Sequence, residues 1–498
     1  MSNVVIVGGG SAGWMAAAAL TRFLPRGSTV TLIESAAIGT VGVGEATIPQ
    51  IRLFNQSLGL DEAEFLRATQ GTIKLGIEFV GWSGTDSRYI HAFGSVGRGL
   101  GLVPFHHYWL RHRAEGGRSS LWDYAPAAVA ARGNRFAPDL GRPDLPSGLA
   151  WAYQFDAALY ASHLRGYAEG RGITRLEGDV VNAVLDGESG LIEAVTLADG
   201  RRVEGDLFID CSGFRSLLLG EALGVGFDDW SRWLPCDRAL AVPCAGSEPV
   251  TPYTRAVARS AGWQWRIPLQ HRIGNGLVYC SSFQDDQAAT DALLGRLDGA
   301  TLGQPRALRF TAGRRRQAWS GNCIALGLAA GFLEPLESTS LHLIQSGIAR
   351  LLAFWPGEKI AAADVSEYNR QTEREWQAVR DFLVLHYHAN GRSEPFWQAC
   401  RATPLPDGLA HRIDLFRANG RVTREGDELF TEVGWLQVMI GQDIVPAGYH
   451  RLADALPATE LDEFLTLARR HAASVVERMP SHDQFLVARR APSPEQKP

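Results

Sequence analysis

The sequence predicts an α/β fold: a Rossmann-like domain that carries a β-rich module and ends in a helical C-terminal region. Three observations predict it. The apolar run Val4-Val5-Ile6-Val7 leads through Gly8-Gly9-Gly10-Ser11-Ala12-Gly13 into an Ala-rich run ending at Phe23, then a second β-rich run, Thr29–Ile33. That order reads as strand, glycine turn, helix, strand. Short β-rich runs follow at 180–185, 192–197 and 207–209, with Asp-Gly pairs at 186–187 and 199–200, and strand-like runs continue from 239 to 283. Past residue 345 the apolar spacing turns helical, over 341–354, 365–386, 395–402 and 461–477.

Taken in order, a helix is expected from Asp156 to Gly170, while 50–150 is weakly patterned and holds a Gly-rich loop at 94–101. Residues 1–345 are expected to form the main body, including the inserted β-rich module, with the helical 346–498 packed on it. The chain has 498 residues, 45% hydrophobic and 21% charged, enough for a sizeable core and unlike a disordered chain. A net charge of −5 gives no electrostatic reason to expect nucleic acid or an anionic membrane. The six cysteines are scattered without a C-x-x-C pair, and no histidines stand at metal-ligand spacing, so neither a disulfide framework nor a metal site is expected. No apolar run reaches membrane-spanning length and no leader pattern precedes Val4, so a cytoplasmic protein is expected.

The glycines Gly8, Gly10 and Gly13 sit where a dinucleotide turn needs them, allowing a tight turn and close approach of a pyrophosphate to a helix N-terminus. Glu34 ends the second strand, at about the 20-residue distance of a ribose-binding carboxylate. Trp263-Gln264-Trp265-Arg266-Ile267-Pro268 places two indoles at i and i+2, on one face of an extended strand. Burying both on that face suits something flat to be held or kept out. Lys74 stands alone in the apolar, strand-like stretch Ile73–Ile77; by itself it reads as a snorkelling or edge-strand lysine. Glu334 and Glu337 lie in Gly331-Phe332-Leu333-Glu334-Pro335-Leu336-Glu337-Ser338-Thr339-Ser340, where Thr339 and Ser340 open a helix. A helix N-terminus is a natural anion site.

The fingerprint, W-x-W-x-I-P, K-L-G-I-x-F-x-x-W from Lys74 to Trp82, and L-E-S-T from Leu336 to Thr339 together resemble the flavin-dependent tryptophan and indole halogenases, from residue 4 to about 450. The segments 206–213 and 322–331 resemble the later FAD-binding segments of aromatic-hydroxylase-type flavoproteins, and Gly42-Val43-Gly44-Glu45-Ala46-Thr47-Ile48-Pro49 the loop that straps over the flavin. The resemblance implies FAD, used as FADH2, at Gly8, Gly10, Ser11, Ala12, Gly13, Trp14, Glu34, Gly44, Glu45, Ala46, Thr47, Val180, Asp210, Gly327, Leu328 and Leu341. It implies halide at Thr339 and Ser340, substrate contacts from His91, Phe93 and Ser338, and a flavin-side shield of Trp263 and Trp265. Lys74 would capture hypohalous acid made from halide and O2, and Glu337 would steady the electrophile and take the ring proton. With a single dinucleotide fingerprint, reduced flavin would come from a separate NAD(P)H-dependent reductase.

The implied reaction is electrophilic halogenation of an indole or other electron-rich aromatic, tryptophan among them. An FAD-dependent aromatic monooxygenase is the alternative; it would bring substrate to the flavin and have no use for Lys74. A flavin electron-transfer or sensory protein would need neither Lys74 nor Glu337. The relatives usually carry Gly where this chain has Ser340. If that position needs a glycine-like backbone, the pocket should favour bromide over chloride.

Overall fold

The computed structural model describes residues 3–35, 44–138, 147–246 and 248–490. The chain forms two compact units, one of residues 1–70, 155–237 and 308–377, the other of 71–154, 238–307 and 378–498. These units are interleaved along the sequence. The boundary expected at 345 therefore falls inside the first unit, within helix Ser340–Ala353. Hydrophobic pattern had suggested a division there because the helical segments cluster late, but both units draw on them.

The first unit is built on a six-stranded sheet in the order Trp319–Ser320, Cys323–Ala325, Leu207–Asp210, Asn3–Val7, Thr29–Glu34, Thr174–Glu177. All neighbours are parallel except the first pair. Val4, Val5, Ile6, Leu207, Phe208 and Ile209 are fully buried. Strands covered on both faces need such unbroken apolar runs. Helix Ser11–Phe23 forms over the residues predicted, and its alanines let it pack closely against helices Ala157–Glu169 and Ser340–Ala353. Asp156 caps helix Ala157–Glu169, accepting from the amides of Ala158 and Leu159.

The second unit has an antiparallel sheet containing, in order, Arg238–Cys244, Ile273–Tyr279, Gly262–Pro268, Thr254–Arg259, Gly76–Val80 and Arg88–Ala92. Only Thr254–Arg259 and Gly76–Val80 run parallel. The stretch expected as one strand over Ile73–Ile77 is two: Thr72–Lys74 pairs with residues 152–154, and Gly76–Val80 joins the large sheet. Between them Leu75 turns aside, its amide donating to Pro252 O at 2.7 Å. Gly76 makes the turn passable, because a Cβ there would lie 2.4 Å from His91 O. Helices Phe105–Ala114, Asp407–Asn419 and Glu432–Gly441 complete this unit along with the predicted later ones. Among the described residues no helix is long and apolar enough to cross a membrane, and no group of three or more His, Cys, Asp or Glu is placed to hold a metal.

Candidate active site

In the first unit the glycine turn separates three steric tasks. Gly8 has φ +115° and its amide donates to Ile33 O at 2.8 Å; a Cβ there would meet Cys211 O at 2.2 Å. At Gly13 a Cβ would meet Gly8 O at 1.8 Å, so the helix can lie against the turn only without a side chain. Nothing lies within 4 Å of a Cβ built at Gly10. The helix that Gly10 caps has no side-chain cap, leaving the first-turn amides at Ser11, Ala12 and Gly13 to face whatever occupies that space. A dinucleotide pyrophosphate fits: the backbone is bare where it must approach and the helix end favours negative charge.

Glu34 lies beside this turn. Trp14 Nε1 donates to its Oε2 at 3.2 Å, Arg175 donates to Oε1, and a Cβ on Gly9 would collide with its side chain. The Asp210 carboxylate turns inward, accepting from Ser212 N and Oγ and from the amides of Leu218 and Leu219, both at 2.9 Å. Asp210 therefore shapes the turn after its strand. Gly327, at φ +62°, begins the short turn Gly327–Ala329 containing Leu328, where a Cβ would lie 2.8 Å from that of Ala12. Val180 starts strand Val180–Leu185 opposite Leu197. Of the strap motif, Gly42 and Val43 lie outside the described residues; Gly44 precedes strand Glu45–Ala46, and Thr47 is buried. Burial pushes the Glu45 carboxyl up to about 7.

The segment 331–340 is packed tightly in the same unit. Gly331, at φ +153°, lets it pass Gly313 and Arg314, whose backbone atoms would lie 2.5 and 2.6 Å from a Cβ. Glu334 and Glu337 are both 0% exposed, and Glu337 ends the turn Pro335–Glu337. Ser338 then adopts left-handed φ +59°, ψ +38°, an uncommon conformation for a non-glycine residue that concentrates strain at this corner. Thr339 caps helix Ser340–Ala353, but its buried hydroxyl makes no capping bond and has no hydrogen-bond partner. The amides of Ser340, Leu341 and His342 thus begin a helix without a side-chain cap. Ser340 is absent from the left-handed residues and starts a regular helix, so the condition attached to its glycine-like strain is not met. The strained position is Ser338, two residues earlier.

In the second unit Lys74 is fully buried, with Nζ 5.4 Å from the centroid of the Phe93 ring. A lysine side chain is seldom buried this completely, because taking its amine out of water is costly unless polar partners are supplied. His91 and Phe93 are buried at the end of strand Arg88–Ala92, where Phe93 N donates to Leu75 O at 2.8 Å. The His91 ring lies 5.6 Å from Phe382 and 6.2 Å from Phe430; Phe382 stacks on Phe430 and meets Trp435 edge-on at 4.8 Å. Phe382 and Phe430 were not singled out in the sequence, since they come from a distant helix and loop; the stretch Trp435–Gly441 resembles the family in sequence, but no role was read for it. Gln437, in that same stretch and fully buried, had no role read for it: its side-chain amide accepts from Ala92 N at 3.1 Å and donates to Ala92 O at 3.0 Å, standing in for a neighbouring strand between His91 and Phe93.

Trp263 and Trp265 share one strand face, their ring centroids 6.0 Å apart. Trp263 is 1% exposed, and Trp265 lies across Gly276, its cross-strand partner, where a Cβ would be 2.0 Å from the indole. Gly276 is what lets the second indole lie flat on the sheet.

A family model described as tryptophan halogenase matches residues 3–458. The tryptophan 7-halogenase RebH of Lentzea aerocolonigenes is 33% identical, with 98% of each chain covered. Among solved structures, Xcc4156, a flavin-dependent halogenase from Xanthomonas campestris, is 49% identical with a TM-score of 0.95, covering 99% of both chains. BrvH, a flavin-dependent halogenase from Brevundimonas sp. BAL3, is 46% identical with a TM-score of 0.94 and the same coverage.

Proposed function

The chain belongs to the tryptophan halogenase family, a family of flavin-dependent enzymes, and from that premise we propose that it halogenates an indole-type ring, tryptophan or a simpler indole. FAD is the proposed cofactor, delivered as FADH2 by a separate NAD(P)H-dependent reductase. When bound, the reduced flavin supplies the electrons with which O2 and halide give hypohalous acid.

The residues of the chain divide the remaining work. Gly8, Gly10 and Gly13 with the start of helix Ser11–Phe23 hold the pyrophosphate, and Glu34 the ribose. The uncapped amides at Ser340 and Leu341, with Thr339, hold the halide. Trp263 and Trp265 keep the aromatic substrate away from the flavin, which suppresses hydroxylation. Lys74 takes up the electrophile by hydrogen bonding or as a haloamine, and His91 and Phe93 position the ring beside it. Glu337 accepts the proton that the halogenated ring must lose.

The observation that carries this reading is the fully buried Lys74 with its amine near the ring of Phe93, two residues along the chain from His91. The monooxygenase alternative gives that lysine no task. The test is anaerobically reduced FAD, then oxygen, with bromide or chloride and a panel of indoles including tryptophan, read by mass spectrometry. Halogenated product is expected; hydroxylated product alone would overturn the proposal.

A further inference from the structure

Among the described residues, the strand carrying Lys74 is paired on one side only, with residues 152–154. On its open side the amide of Ile73 needs an acceptor that no strand provides. The acceptor is His482 Nε2, at 3.2 Å, from the first residue of helix His482–Arg490. His482 is 0% exposed, and its Nδ1 donates to Val250 O at 2.8 Å. A carbonyl can only accept and an amide can only donate, so both contacts require the neutral ring with its proton on Nδ1. Burial agrees, pulling the imidazole down to about 4. The same helix also reaches the start of the strand: Arg490 donates to Gln270 Oε1 at 2.8 Å, and Gln270 donates to Gly71 O at 2.6 Å. His482 and its helix lie beyond residues 3–458, the part matched by the family model.

We propose that His482 is a positioning residue for Lys74, its neutral imidazole standing in for a missing strand and fixing the backbone one residue before the reactive amine. This rests on the reading of Lys74 as the halogenating lysine.

His482→Asn keeps a donor for Val250 O but has no acceptor that reaches Ile73 N; His482→Gln places a carbonyl near the site of Nε2. Both are compared with the parent for halogenated product per reduced flavin oxidised, KM for the indole, hypohalous acid captured by monochlorodimedone, and hydrogen exchange at the Ile73 amide. In His482→Asn product per flavin should fall about tenfold to a hundredfold, the scale of a misplacement near 1 Å. KM and flavin oxidation should hold, captured hypohalous acid should rise, and Ile73 exchange should quicken. His482→Gln should recover most of the coupling. If His482→Asn does not fold, Gln270→Leu, which removes the companion bond to Gly71, serves for the same measurements. Parental coupling in a folded variant whose Ile73 amide exchanges faster would overturn the proposal. Lys74→Ala, run alongside, separates the two claims: continued halogenation there would defeat the lysine reading itself.

Discussion

The glycine turn of the first unit and the lysine strand of the second solve opposite problems. At the start of helix Ser11–Phe23 the first-turn amides have no side-chain cap, and the backbone at Gly10 faces open space. Around Thr72–Leu75 the protein itself supplies the partners. Gln154 donates to Thr72 Oγ1 and Ile73 O, Thr72 donates to Pro268 O, Thr254 holds Gln154, and the amides of Ile73 and Leu75 go to His482 and Pro252. A binding surface is made by leaving groups open. The backbone on either side of Lys74 is held by closing them.

The hardest test of that contrast is Lys74→Ala, which should abolish halogenation while leaving FAD binding and oxidation of reduced flavin intact. Normal amounts of halogenated product would show that the closed strand aims nothing. Next come Gly13→Val and Gly10→Val, which should part company. The first forces a Cβ to within 1.8 Å of Gly8 O and should cost about 4 kcal/mol or more of stability, read by thermal unfolding. The second enters empty space and should leave Tm near the parent while weakening FAD binding. Equal loss of stability in both would erase the division of tasks along the turn.

A smaller effect is expected of Glu337→Gln, since an amide cannot take the ring proton. The halogenation rate should fall about a hundredfold, the low side of what a positioned base supplies. A loss well under tenfold would leave Glu337 as a structural member of its buried turn. The smallest change is expected from Ser340→Gly. Because Ser340 begins a regular helix without left-handed strain, glycine relieves nothing there and should cost at most about 1 kcal/mol of stability. The ratio of brominated to chlorinated product should stay close to the parent's. A marked swing toward chloride would mean that the Ser340 side chain, rather than its amide, shapes the halide pocket.

Much of the fold was legible where one local rule governs a segment. The glycine turn, the alanine helix and the late amphipathic helices fall where their patterns put them. Helix Glu432–Gly441 was not legible, because seven of its residues are buried on several faces and no polar stripe marks its period. Phe105–Ala114 hid for the same reason, with Phe105 through Arg111 all buried. Lys74 could be singled out because a cation in an apolar run is conspicuous. Its supports could not: Gln437 and His482 are ordinary residues far along the chain, and a lone histidine in a helix carries no sign of what it touches.

That distance has a consequence in time. The bond from Ile73 to His482 joins residues 409 positions apart. At about 5–20 residues per second, a ribosome that has finished the lysine strand needs roughly 20–80 s to deliver its last acceptor. Through that interval the amide of Ile73 has no His482 to donate to. The edge of the strand that carries Lys74 is thus completed by a residue synthesised long after the strand itself.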